Sequence, residues 1–216
     1  MTIEEIQTET NTESVEKPKR TTKAKKSETE QDTSESGSFK VSGMAQLNIY
    51  LLNEEKTYGD AIPKFQTEMA ACFDLAAYLI PGTQVKCVDI LGQTLKRKVT
   101  DEGLPVHPGE RFLIPTGIIF DIPEGYAMEI YPRSGQSFKK GMTLSNCTAN
   151  IDADYVEETF VSLTNIGKQS FTVTHGERIA QAKLVKLVET QINLVTERPK
   201  QKTSRKGGFG STGEGK

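Results

Sequence analysis

Residues 145–155, Ser-Asn-Cys-Thr-Ala-Asn-Ile-Asp-Ala-Asp-Tyr, gather a side-chain amide at Asn146, carboxylates at Asp152 and Asp154 and a phenol at Tyr155. Set among β-prone residues, these groups furnish a polar pocket. A calcium loop is the rival use of such carboxylates, but Glu157 stands where that loop requires glycine. A second segment, Pro132-Arg133-Ser134-Gly135, joins a residue of fixed φ, a guanidinium, a hydroxyl and a permissive glycine. Such a turn can hold an anion, although Pro and Gly also build plain surface turns. Near the end, Gly207, Gly208, Phe209 and Gly210 lead into Ser211 and Thr212. A lone ring in Gly-rich, cationic, hydroxyl-bearing sequence suits a flap over an anionic aromatic ligand as well as a flexible tail.

What is missing narrows the chemistry. The sequence holds neither a Gly-x-x-x-x-Gly-Lys-Ser/Thr phosphate loop nor the His-x-Glu and Pro-Cys-x-x-Cys pair of zinc deaminases. Its two histidines, His107 beside Pro108 and His175 before Gly176, adjoin turn signals, so structural or exposed roles are expected for both. Chemistry on phosphates would have to rest on carboxylates and main chain.

The elements that must position these groups read as β-strands. Short apolar or alternating runs at 47–52, 112–114, 117–122, 160–163 and 171–174 are broken by Pro and Gly. Their length and β-branched content predict strands, and their close spacing predicts an all-β sandwich, jelly roll or barrel. Residues 137–141 predict one helical turn, while 179–188 fit neither period. Residues 81–109 carry mixed charge with Gly92, Gly103, Pro105 and Pro108, and read as a loop or extra hairpin.

Both ends differ from this β domain, which spans residues 44–195. Residues 1–43 hold nine acidic and seven basic side chains and one aromatic, Phe39. That is too little apolar surface to offset the entropy of ordering, so a disordered charged tail is expected. Five Glu precede Lys17, after which Lys17, Lys19, Arg20, Lys23, Lys25 and Lys26 cluster. The cluster reads as a nucleic-acid contact, an address, or a solvated run without a partner. Residues 196–216, with five Gly, six Lys/Arg and only Phe209 as an aromatic, cannot build a core and are expected to form a flexible arm.

A net charge of −2 gives no global field to recruit nucleic acid, and no sequence-specific nucleic-acid partner is expected. Cys72, Cys87 and Cys147 are odd in number and far apart, which argues against a disulfide framework or zinc site. No apolar run reaches the ~18 residues of a membrane span, and the acidic start lacks a signal-peptide pattern. A soluble cytoplasmic protein is expected (host cytoplasm for a viral source), with the nucleus as the alternative.

Taken in order, AACFDLAAY, YPRSGQSFKKGM, SNCTANIDADY, GERIAQ and GGFGSTG resemble motifs one to five of the homotrimeric dUTPases, and IPKFQTEMAACFDL is similar to the family's entry into motif one. Each motif alone is weak; five in order at plausible spacing are specific. The resemblance implies a jelly-roll-like β domain that hydrolyses dUTP to dUMP and pyrophosphate with Mg²⁺, keeping uracil out of DNA and supplying dUMP. It further implies a homotrimer whose sites each draw motifs from three subunits. By the same resemblance Asp152 is the general base for water attack on the α-phosphorus, and Asp74 supports the hydrated Mg²⁺ through water. A β-hairpin around motif three, with Asn146, Asn150 and Ile151, holds uracil by main-chain hydrogen bonds, and Tyr155 packs on the deoxyribose. Arg133, Ser134, Gly135 and Gln181 contact or order the phosphates. Phe209 with Gly210 covers the base, and Arg205, Ser211 and Thr212 lie near the γ-phosphate.

The chain departs from the pattern at several points. Cys72, Ala149 and Glu157 replace usual glycines, Asn150 replaces an aliphatic residue, and Ser204 stands where motif five usually has arginine, with Arg205 one step closer to the glycines. Each glycine replacement adds a side chain at a position where φ > 0 or close backbone approach could be required. Two rivals share the fold: a dCTP deaminase, similar around PRSG and the Ile-Asp pair, and a non-catalytic regulatory protein.

Overall fold

The computed structural model describes residues 44–204 and residue 207. The expected amino-terminal tail lies outside the described residues, as do Arg205, Phe209, Gly210, Ser211 and Thr212.

In chain order the strands are β1 (Asn48–Leu51), β2 (Phe73–Ala76), β3 (Gln84–Val88), β4 (Thr94–Lys98), β5 (Leu104–Val106), β6 (Arg111–Pro115), β7 (Ile118–Asp121) and β8 (Tyr126–Pro132). Helix α1 (Ser134–Lys140) follows, then β9 (Met142–Leu144), β10 (Ala149–Ile151), β11 (Phe160–Asn165), β12 (Phe171–Val173) and β13 (Arg178–Lys186). Alternation explains most of them. In β6, Phe112 and Ile114 are buried while Arg111 and Leu113 face outward; in β3, Val85 and Cys87 are buried between Gln84 and Lys86.

Two antiparallel sheets carry the domain, one ordered β10-β8-β13-β2 and the other β4-β3-β6-β11-β9, with two-stranded ribbons β1-β7 and β12-β5. Leu75, Met128, Ile130, Ala180 and Ala182 from the first sheet share one core with Phe112, Ile114, Val161, Leu163 and Met142 from the second. The result is an all-β, jelly-roll-like sandwich, in which each sheet buries one face against the other.

Three segments differ from or sharpen the sequence reading. Residues 179–188 lie mostly in β13; its alternation is broken by a bulge between Arg178 and Ala180 and hidden because the inward residues are small alanines. Helix α1 starts at Ser134, inside the PRSG segment, and ends at Gly141, whose φ of 69° is the left-handed cap that glycine accepts without steric cost. Within 81–109, β3 and β4 form a hairpin at the edge of the five-stranded sheet, closed by Asp89 accepting from the Leu91 and Gln93 amides at 2.9 and 2.8 Å.

That hairpin is pinned by one ion pair. Arg97 donates to both carboxylate oxygens of Glu110 at 2.6 and 2.7 Å and to the Pro105 carbonyl at 3.0 Å, and its guanidinium lies 5.1 Å from the Phe112 ring centre. Glu110 is 5% exposed. Desolvation pushes its carboxyl pKa upward, but the Arg97 hydrogen bonds, the His107 amide and the Arg97 charge outweigh this and hold it below its ordinary value.

Candidate active site

Register brings three motifs onto one outward face. Gln181 of β13 pairs with Asp74 of β2 on one side and with Tyr131 of β8 on the other. Arg178 and Gln181 are three residues apart and would face opposite ways in a regular strand. The intervening bulge turns them to the same side. Arg133, at the end of β8 just before α1, completes the arrangement.

Asp74 is the hub of this face. Its Oδ1 pairs with Arg133 Nε and its Oδ2 with Arg178 Nη1, each at 2.9 Å. Arg133 Nη1 also donates to the Arg178 carbonyl at 2.9 Å, and Gln181 Nε2 donates to the Pro132 carbonyl at 2.9 Å. The carboxylate therefore holds two guanidiniums at the rim of a cleft of about 520 Å³, which Ser134, Gly135, Lys139 and Lys140 also line. Lys140 pairs with Glu177 at 3.2 Å, whereas Lys139 has no ion pair among the described residues. Two acids, Asp74 and Glu177, against four cations make this an anion site, and the separate guanidiniums suit several phosphate oxygens at once.

The other predicted residues lie elsewhere. Asn150 and Ile151 are in β10, opposite Glu129 and Met128 of β8, at the far edge of the sheet from Asp74. Three strand spacings separate these edges, about 14 Å at the usual inter-strand distance. A polar cluster fills the face between them: the Tyr131 hydroxyl donates to Glu129, and Lys183 lies 3.8 Å from the same carboxylate and 5.1 Å from the Tyr131 ring centre. The Glu129 carboxylate pushes the Tyr131 phenol pKa up, and the Tyr131 contact pushes that of Lys183 up. Asp152 is exposed just after β10 and starts a turn closed by the Tyr155 amide on its carbonyl at 3.2 Å. Its carboxylate has no hydrogen bond or ion pair among the described residues. Tyr155 is 39% exposed, so it is not a core tyrosine, and its hydroxyl donates to the Glu158 carbonyl at 2.8 Å.

Motif three is not a pair of mutually bonded strands in this chain. β9 pairs with β11 in one sheet and β10 with β8 in the other, so residues 145–148 turn a corner between sheets. Asn146 is exposed on that corner. Cys147, with φ of 61°, is the one non-glycine residue at positive φ among the described residues. Cys72, Ala149 and Glu157 all lie outside the positive-φ region, so the departures from family glycines carry no backbone strain there.

Both histidines are structural. His175 accepts the Leu79 amide on Nδ1 at 3.1 Å and lies 3.0 Å from the Thr57 carbonyl through Nε2, while His107 Nδ1 lies 2.8 Å from Ser170 Oγ. Arg178, Lys139 and Lys140 are the cationic cleft residues that sequence reasoning missed. Arg178 lies inside GERIAQ, but only the bulge reveals which way it points.

With this geometry in place, comparison with known proteins is decisive. The sequence profile of the dUTPase family matches residues 99–213. The deoxyuridine 5'-triphosphate nucleotidohydrolase of Desulfotalea psychrophila is 38% identical over 169 residues, covering 78% of this chain and 97% of that protein. The chain belongs to the dUTPase family. Among solved structures, a point mutant of the Staphylococcus bacteriophage 80alpha dUTPase with dUpNHpp matches with a TM-score of 0.60 at 21% identity, over 79% of this chain and all of that one. A point mutant of the dUTPase from phage phi11 of S. aureus, described as coordinating a structural Mg(II) ion, matches with a TM-score of 0.53 at 19% identity, over 71% and 98%. At these identities the two structures establish the dUTPase-family fold rather than individual residue roles.

Proposed function

We propose that this chain is a dUTP diphosphatase, hydrolysing dUTP to dUMP and pyrophosphate in the cytoplasm. Membership of the dUTPase family supports the substrate, and neither the deaminase nor the non-catalytic reading gains support from the relatives. The observation that carries the chemistry is the Asp74–Arg133–Arg178 cluster at the mouth of a cation-lined cleft, a receptacle for a triphosphate.

In this reading Arg133, Arg178 and Lys139, with Ser134, Gly135 and Gln181, bind and straighten the triphosphate. The exposed Asp152 carboxylate orients a water and takes its proton as the water oxygen bonds to the α-phosphorus. The bond from that phosphorus to the bridging oxygen breaks, and pyrophosphate leaves with the electron pair. Main chain around Asn146, Asn150 and Ile151 reads uracil, because a donor or acceptor left unmatched there penalises cytosine. Tyr155, held by Glu158, packs against the deoxyribose. Phe209 and Gly210, with Arg205, Ser211 and Thr212, close the site and exclude bulk water.

The donor set decides how Mg²⁺ would be held. Asp74 is a single carboxylate already shared by two guanidiniums, and no group of three or more acids, histidines or cysteines stands ready for a metal among the described residues. Asp74 would hold, through water, an ion that keeps most of its own waters. Bound there with the triphosphate, Mg²⁺ would offset phosphate charge.

The same geometry supports a homotrimer. Within one chain the Asp74 cleft and the Asp152 segment stand at opposite edges of a sheet, with Tyr131, Glu129 and Lys183 between them. A site that uses both takes them from different subunits. The test of the function is purified protein with Mg²⁺ and each deoxynucleoside triphosphate in turn. Release of dUMP and pyrophosphate from dUTP alone is expected; ammonia from dCTP, or no turnover, would overturn the reading.

A further inference from the structure

Beside the Asp74 cleft lies a second groove of about 520 Å³, between helix α1 and the loop at residues 166–170 with the start of β12. Its walls are held in fixed relation. The Ile166 amide donates to the Gly141 carbonyl at 2.9 Å, and a Cβ built on Gly141 would lie 2.6 Å from the Gly167 nitrogen, so the helix end and the loop touch backbone to backbone. Phe138 projects from α1 with 92% of its surface exposed, although it is the only aromatic of that helix, and Phe171 lines the groove from the loop side. Lys139, Lys140 and Lys168 stand around the rings. Glu177 answers Lys140, whereas Lys139 and Lys168 have no ion pair among the described residues.

A single exposed phenylalanine means little by itself. An exposed ring beside a preformed groove with two unanswered ammonium groups is a different matter. It presents a flat apolar surface for stacking and charge for a phosphodiester, and its lining holds a single amide, Gln169, and no arginine or asparagine with which to read base edges. A duplex hides its base faces and would leave Phe138 unused, and an acidic peptide has nothing that needs an open aromatic face. We propose that this groove binds single-stranded nucleic acid without sequence preference, with a base on Phe138 and an adjacent phosphate on Lys168. The inference does not depend on the dUTP reading, because Phe138 and Lys168 lie outside the Asp74 cleft.

The experiment is fluorescence anisotropy of a labelled 20-mer of thymidylate with the full chain, over a salt series, for wild type, Phe138→Ser and Lys168→Glu. Binding by wild type is expected. Phe138→Ser should weaken it about tenfold, the loss of one base–aromatic stack. Lys168→Glu should weaken it and reduce the slope of log affinity against log salt by about 0.7, one phosphate contact to a single strand. Both variants should keep wild-type melting temperature and dUTP turnover, so a folding defect is distinguishable from a lost contact. A photo-crosslink from 4-thiothymidine in the 20-mer should fall on the peptide containing Phe138. No binding by wild type, unchanged affinity in both variants, crosslinks confined to residues 17–26, or equal displacement by polyglutamate and by unlabelled 20-mer at matched charge would each overturn the proposal.

Discussion

Asp152 opens the turn after β10 with its carboxylate exposed and unengaged among the described residues, which is what a general base requires before substrate arrives. Asp152→Asn should therefore lower kcat by on the order of 10²-fold or more while leaving the affinity for an imido analogue of dUTP nearly unchanged. Single-turnover kinetics and calorimetry separate the two effects, and full activity in the variant would remove Asp152 from the chemistry. Cys147 is a second residue-scale case. Its φ of 61° is costly for a side chain and free of steric cost for glycine. Cys147→Gly should raise stability by about 0.5–1 kcal/mol, read by urea denaturation, despite the chain entropy that glycine adds. Arg133 was legible because its turn suits an anion, whereas Asp74 and Gln181 were picked out only by the resemblance of their segments to family motifs. The sequence left Arg178 and Lys139 unread because their orientation depends on a strand bulge and on a helix that begins three residues before the predicted turn.

Strands were legible where period-two alternation was strong, as in β6, β7 and β11, and illegible where other forces set the pattern. β13 buries Ala180 and Ala182, whose small size lets the sheets approach closely but leaves little hydrophobic contrast with their neighbours. Residues 81–109 are rich in charge because β4 has only one face to cover and lies at a sheet edge, where lysines discourage pairing with other chains. The docking of that edge depends on Arg97 and Glu110. Glu110 has its folded pKa held below its ordinary value of 4.5, so its stabilisation is fully present above about pH 4.5 and disappears as pH falls through the lowered folded value. Glu110→Gln should cost about 3 kcal/mol at neutral pH, because it leaves Arg97 mostly buried without its counter-charge. The gap between wild type and variant in thermal melts should shrink as pH falls below 4.5. Truncation after Thr203 bears on another element. It removes the predicted flap and none of the described core, so turnover should fall on the order of 10²-fold while the melting temperature stays close to wild type.

At the scale of the whole molecule, the separation of the two half-sites turns assembly into a kinetic question. Asp74 lies at one edge of the four-stranded sheet and Asp152 just beyond the strand at the other, and the proposed shared site takes one residue from each of two subunits. Asp74→Asn and Asp152→Asn homotrimers should each be nearly inactive. When the two variants are unfolded together in equal amounts and refolded, subunits mix at random, and a site is intact only where an Asp152→Asn subunit supplies Asp74 and an Asp74→Asn subunit supplies Asp152. About a quarter of the sites meet that condition, so turnover should recover to about a quarter of wild type, per site, in a trimer of identical folds. Sites built within single chains predict no recovery at all, because every chain in the mixture carries one broken residue. The size of the recovered fraction thus reports both that subunits exchange residues and that one Asp74 meets one Asp152, which sedimentation or light scattering of the trimer alone does not distinguish.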